Sequence, residues 1–325
     1  MAAHPDLPRP KPLLLDKQHI FARLKALDEN SSARKRILRM ERDFRARIGS
    51  HLTRLPAGTA KFQKFNTNPF VLMFYSKQQQ YGQVAQIERD LVPAKVFSSM
   101  ETSAGRMIEE VVLPVYGWKD VASAMQSHES LLDGEKATQA PGTFVGATLK
   151  SGPRTLNDHM SMDIANDLVR LAPSWALSHG VQNVDFTYGV LYGTKKQSNK
   201  EDWHVLRNID ELRPPRSVVL ESHRKGWAIV YEDGPLKVAA TIRVGIEWWD
   251  YLGDADTWLE ICCALIRACV VPVATPQGGA TYSIPDLDSI LDMSVVPAGY
   301  NVAILQKSQL EWILFLARHL ADGFT

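Results

Sequence analysis

Residues 147–163 read ATLKSGPRTLNDHMSMD, and they decide how the chain is to be folded. Phe144, Val145, Ala147 and Leu149 give the lead-in the composition of a buried strand. That run closes on Lys150 and breaks at Gly152–Pro153, and an amphipathic helix is predicted from about Asn157 to Leu171. A charge ending a core strand is costly unless an anionic group stands beside it. Lys150 is therefore the first candidate functional residue.

Working outward, the stretch from about 128 to 150 predicts two strands joined by a Gly/Pro turn. Asp133, in HESLLDGEK, lies near the start of the first, so pairing of the two strands would bring Asp133 and Lys150 to one sheet edge. Upstream, ETSAGRMIEEVVLPVYGW predicts a helix with Met107, Ile108, Val111 and Val112 on its apolar face. Glu109 and Glu110 fall on the flanks, and Pro114 ends or bends the helix. Downstream, Asp163 and Asp167 share a helix face with His159 and Arg170.

Two or more carboxylates with a lysine are the minimum for metal-assisted phosphodiester hydrolysis. Mg²⁺ takes a few oxygen ligands and keeps several waters, and a lysine steadies the developing charge. The bland alternative makes Asp133 a turn residue and Lys150 a strand end whose stem is buried and whose head is solvated.

These residues resemble a known family. From Gly105 to Asp163 the chain resembles type II restriction endonucleases of the PD-(D/E)xK superfamily. GRMIEEVVLP looks like the helix before their catalytic strands, LLD like the first catalytic strand with Asp133, and TLKSGPRTLND like the second with Lys150. TNPF, GVLYG with the basic loop after it, and IEWWDYLGDADTW look more loosely like a subgroup that cuts an interrupted G/C palindrome. The pattern wants Asp or Glu two residues before the lysine, where this chain has Thr148. A hydroxyl cannot supply that charge, so the resemblance implies an acid from elsewhere: Asp163, thirteen residues past Lys150, or Glu109 or Glu110.

The resemblance implies an α/β fold, a mixed central sheet flanked by helices, with helical additions at both ends. It further implies Mg²⁺-dependent cleavage of double-stranded DNA at a specific sequence, leaving 5′-phosphates. Asp133, Lys150, Glu110 and Asp163 would be catalytic, with Asp133, Glu109, Glu110 and Asp163 available to the metal. Symmetric targets imply a homodimer. A DNA-binding protein with a degenerate core, and a repair nuclease acting on DNA structure, are the alternatives.

For DNA contact the candidates are Arg154 and Asn157 beside the lysine, and Lys195, Lys196, Asn199 and Lys200 in TKKQSNKEDW. Gln197, Arg213, Arg216, His223, Arg224 and Lys225 are further ones, and for each a solvated loop position is the competing expectation. SSARKRILRMERDFRARIGSHLTRL predicts a helix capped by Ser31 or Ser32 with apolar stripe Ile37, Leu38, Phe44 and Ile48. Its basic residues Arg34, Lys35, Arg36, Arg39, Arg42, Arg45 and Arg47 form a solvated face or contact phosphates.

The chain divides into a helical arm over 1–55, a nuclease core over 56–245 and a mostly helical region over 246–325, the two ends being the expected dimerisation material. Residues 1–12 are expected to be disordered. The net charge of +1 among 325 residues says nothing of partners. Cys262, Cys263 and Cys269 lack the spacing of a zinc site and are expected as buried thiols in a reducing compartment. No apolar run approaches the ~20 residues of a membrane span, so a soluble cytoplasmic protein is expected. No GxSxG, HExxH or phosphate-binding Gly-rich loop offers another chemistry.

Overall fold

In the computed structural model, a seven-stranded mixed sheet carries the segment around Lys150 as its third strand. The structure describes residues 7–55, 61, 69–121, 131–136, 141–198, 200–272 and 283–325. Asn199, the Pro56–Gly58 turn and residues 128–130 of the expected first strand lie outside them.

The sheet order is β2 (Trp118–Asp120), β3 (Gly134–Lys136), β4 (Thr143–Lys150), β5 (Asn183–Val190), β8 (Leu236–Val244), β7 (Ala228–Asp233) and β6 (Val218–Glu221). Strands β4, β5 and β8 run parallel; the pairs outside them are antiparallel. The helix α5 (Asp158–His179) makes the crossover between β4 and β5 that a parallel pair requires. Asn157 caps α5, its side chain accepting from the Met160 N–H at 2.9 Å, and Gly180 closes it in the left-handed conformation.

Side-chain alternation along β4 separates two cores. Val145, Ala147 and Leu149 pack with α1 (Lys17–Glu29), α2 (Ser31–Leu52), α7 (Ile246–Leu252), α8 (Thr257–Cys269) and α10 (Leu310–Leu320). Phe144 joins Val184, Phe186, Tyr188 and Val190 of β5 on the opposite face, under α5 and α6 (Lys200–Leu212). The helices of both chain ends thus form one layer. Leu14–Leu15 (β1) also pairs in parallel with Gly323–Phe324 (β9), and the Asp322 carboxylate accepts from the Leu13 N–H at 2.7 Å.

Several local expectations change. Asn30, not Ser31 or Ser32, caps α2, accepting from the Ser32 and Ala33 N–H groups. Leu38 is exposed and Met40 takes its place in the core, because the buried face follows 33, 37, 40 and 44. Four of the seven basic residues of α2 pair with acids of the same chain. Arg36 makes a two-point contact to the buried Glu260 at 2.7 and 2.5 Å, Arg45 pairs with Glu41, and Arg47 with Glu110. Of the hydrophilic run expected as a loop, residues 195–198 form a turn, whereas 200–203 are the first turn of α6. Cys262 and Cys263 are buried, whereas Cys269 is exposed at the end of α8. Residues 7–12 have no regular structure. No described helix is long and apolar enough to cross a membrane.

Candidate active site

The site grows from the pairing of β3 with β4. Their antiparallel register sets Gly134 opposite Ala147. One residue earlier, the Asp133 N–H donates to the Ala147 carbonyl at 2.9 Å, which holds Asp133 alongside Thr148. Thr148 Oγ1 donates to Asp133 Oδ2 at 3.0 Å and the Leu149 N–H donates to the same oxygen at 2.6 Å, leaving Oδ1 outside both bonds. Thr148 and Lys150 share one face of β4, about 7 Å apart along the strand. The spacing of Asp133, Thr148 and Lys150 is thus set by strand geometry.

Glu109 arrives from α4 (Ala85–Val112), a single 28-residue helix that continues through Pro93. Gly105 explains how it comes close. A Cβ at that position would stand 3.3 Å from the Ser151 Cβ, so the absence of a side chain lets α4 approach the residue directly after Lys150. Glu109 lies one turn further along the same side of the helix.

Burial raises the proton affinity of Glu109, and the neighbouring charges of Asp133 and then Asp120 raise it further, against Lys150 and Arg106; its pKa is pushed up to about 7. Asp120, at the end of β2, pairs with Gly134 and so comes in beside Asp133. Three carboxylates and one ammonium therefore share a sheet margin.

Of the acids weighed for the missing charge at Thr148, Glu109 is the one brought to Asp133 and Lys150. Glu110 turns away by the ~100° step of a helix. It is ion-paired to Arg106 at 3.0 Å and to Arg47 of α2, and so ties α2 to α4. Asp163 is exposed on α5 and is not among the charges that act on Glu109. Asp120 was missed in the sequence because a lone Asp closing a three-residue strand carries no spacing signal.

The candidate DNA contacts are placed less uniformly. Arg154 is exposed with φ +69°, and its Nε donates to the Gln197 carbonyl at 2.9 Å, joining the loop after Lys150 to the turn that holds Lys195 and Lys196. Gly152 permits this junction, since a Cβ there would fall 2.3 Å from the Tyr192 ring. The Asn157 side chain is engaged in capping α5. Lys195 pairs with Glu247 at 2.7 Å and lies over the Trp227 ring. Lys196 and Lys200 are exposed, with Lys200 3.3 Å from Glu201. Arg213, Arg216 and His223 pair with Asp210, Asp233 and Asp210 respectively.

Among the described residues no three His, Cys, Asp or Glu side chains stand close enough to enclose a metal ion. Magnesium asks for less, binding through one or two carboxylates and completing its shell with water and substrate phosphate. Asp133 Oδ1 and the Glu109 carboxyl are hard oxygen donors whose like charges repel in a partly buried place, and that donor set fits Mg²⁺. Compared with known proteins, the chain matches no family model and no curated protein.

Proposed function

We propose that this chain is a nuclease that hydrolyses phosphodiester bonds of double-stranded DNA with Mg²⁺, in the manner of a type II restriction endonuclease. The observation that carries the reading is the meeting of Asp133, Glu109 and Lys150 at one end of β4. The helix, three-stranded meander, crossover helix and parallel strand of α4 to β5 are compatible with such a core.

Lys150 supplies a cation where the charge of the phosphate grows as the bond to the leaving oxygen breaks. Asp133 is oriented by Thr148 and by the Leu149 backbone through Oδ2, so its other oxygen Oδ1 is presented in a fixed direction. Glu109, with a pKa of about 7, needs a cation beside it to be ionised near neutrality, and Lys150 provides part of that stabilisation. A bound Mg²⁺ would be held by Asp133 and Glu109 and would polarise the phosphate and acidify a water. The crossing of Arg154 to the 194–197 turn forms a ridge beside Lys150 on which Lys196 is exposed to meet a DNA backbone.

Incubation with supercoiled plasmid and Mg²⁺ followed by end sequencing tests the reading. Asp133→Ala, Lys150→Ala and Glu109→Gln should each lower cutting by at least about 100-fold, the scale of losing one transition-state contact, while DNA binding by filter assay survives. Asp163→Asn should cut within a few-fold of the parent. Discrete fragments would mark a restriction enzyme, and random or end-directed products a repair nuclease. Binding without cleavage under any divalent metal would leave a degenerate DNA-binding protein, a reading that Thr148 in the place of an acid favours. Normal cutting by Asp133→Ala or Lys150→Ala would place the active site elsewhere.

A further inference from the structure

A cavity of about 460 Å³ lies where α4, α7, α8 and α10 meet the segments that follow β4 and β5. That volume falls within the ~300–1,000 Å³ of small-molecule sites. Packed interiors leave few voids larger than a water, so a hollow of this size calls for an occupant. Among the described residues no other helix contributes to the lining, α3 (Pro69–Gln78) and α9 (Leu287–Ile290) included. Ser151 lines it and follows Lys150, but Lys150 and Glu109 do not.

The wall is apolar. Helix α8 gives Trp258, Ile261, Cys262 and Leu265 at spacings of three and four. Burial pushes the Cys262 thiol up to about 12, so it stays uncharged. Trp249 of α7 spends its N–H on the Leu191 carbonyl at 2.8 Å and offers the cavity only its ring carbons. From α4 come Glu101, Ala104, Gly105 and Ile108, again one helix face.

Glu101, Ala104, Tyr192 and His319 are exposed and mark the mouth. Acceptors predominate there. Glu101 is a carboxylate with which, among the described residues, no cation pairs. The Phe315 carbonyl can only accept, so His319 Nδ1, 2.8 Å away, carries a hydrogen. In the neutral ring Nε2 is then left as an acceptor. The His319 carbonyl accepts from the Gly193 N–H at 2.8 Å, which fixes the end of α10 beside Tyr192.

We propose that this cavity binds a small hydrophobic primary amine, with an aromatic or branched alkyl body inside and its ammonium at the mouth. An ammonium has three donors and no acceptor, which matches Glu101 and His319 Nε2. A carboxylic acid of the same shape would meet Glu101 with like charge. The proposal does not rest on the nuclease reading, and its test contains no DNA, so either can fail alone.

Calorimetric titration of the full chain with phenethylamine should show a single site with Kd below about 1 mM, the scale of a fragment-sized ligand. Phenethyl alcohol should bind about fivefold more weakly, the scale of an exposed charge pair, and hydrocinnamate more weakly still. Ala104→Trp, a ring placed in the mouth at an exposed helix position, should weaken phenethylamine at least about tenfold by obstruction. Glu101→Gln should weaken it about fivefold and leave phenethyl alcohol unchanged. Should Ala104→Trp lose its far-ultraviolet dichroism, Glu101→Gln decides alone. No saturable heat with phenethylamine overturns the proposal. Hydrocinnamate binding as tightly as the amine, binding that a folded Ala104→Trp leaves unchanged, or binding that Glu101→Gln leaves unchanged overturns it too.

Discussion

At the scale of single residues, the site is organised by a hydroxyl and a displaced acid. Thr148 occupies the place where the resembled family carries Asp or Glu, and it donates to Asp133 instead of binding alongside it. The carboxylate brought beside Asp133 is that of Glu109. Raised by burial and then by Asp133 and Asp120, its pKa of about 7 lies above the 4.5 of an ordinary glutamate. The folded chain holds that proton longer than the unfolded one, so this group's contribution is fully present below about pH 4.5 and is lost as pH rises through about 7. Glu109→Gln cannot ionise. It should therefore be more stable than the parent at pH 8, by on the order of 2–3 kcal/mol, and nearly equal to it at pH 4. Thermal melts across that range check the sign, and parallel curves would show that Glu109 is not held in a charged, buried cluster. Mg²⁺ should narrow the difference at pH 8, by binding the ionised parent more tightly than the variant.

At the scale of elements, the decisive contact is the approach of α4 to the end of β4. The G-x-x-x-E pattern, suggestive in the sequence, acquires a mechanical cause: Gly105 makes room for Ser151 and sets Glu109 one turn away. Gly105→Leu should push the helix out. A misplacement near 1 Å costs about 100-fold in rate, whereas the helix itself gains up to ~1 kcal/mol by losing a glycine. The expected result is a folded protein of normal helix content with little activity. Unimpaired cutting would show that the α4–β4 spacing does not govern the site. The existence of β4, β5, β7 and β8 and of α1, α7 and α10 was legible from apolar periodicity. The length of α4 was not, because Pro93 reads as a breaker until packing restrains the helix on either side. Helix α6 was hidden for a related reason: its first turn is Lys200, Glu201 and Asp202, a charged run typical of a loop, and Asp202 is buried with Tyr188 donating to one carboxylate oxygen at 2.9 Å and the Ser198 hydroxyl to the other.

At the scale of the whole molecule, both ends of the chain serve one layer. Asp322 accepts from the Leu13 N–H and from the Thr194 hydroxyl at 2.8 Å, linking the N-terminal strand, the C-terminal strand and the turn beside the candidate site. Two hydrogen bonds to a charged acceptor predict a cost of about 2–4 kcal/mol for Asp322→Ala. Leu15→Pro, at the residue whose carbonyl accepts from the Thr325 N–H, should add little in the double variant. Urea unfolding of the cycle measures this, and full additivity would mean that β1 and β9 are not coupled.

By itself the sequence determined the strand that ends in Lys150, the helix that follows it and the proximity of Asp133, because period-two alternation and turn residues act over short distances. Tertiary structure alone decided which acid joins them, since Glu109, Glu110 and Asp163 are equivalent on paper. The choice depends on which helix face a glycine allows against β4 and on which acid Arg47 of α2 and Arg106 of α4 have already claimed. Such pairings are made between residues far apart in the chain, where burial and charge act through space.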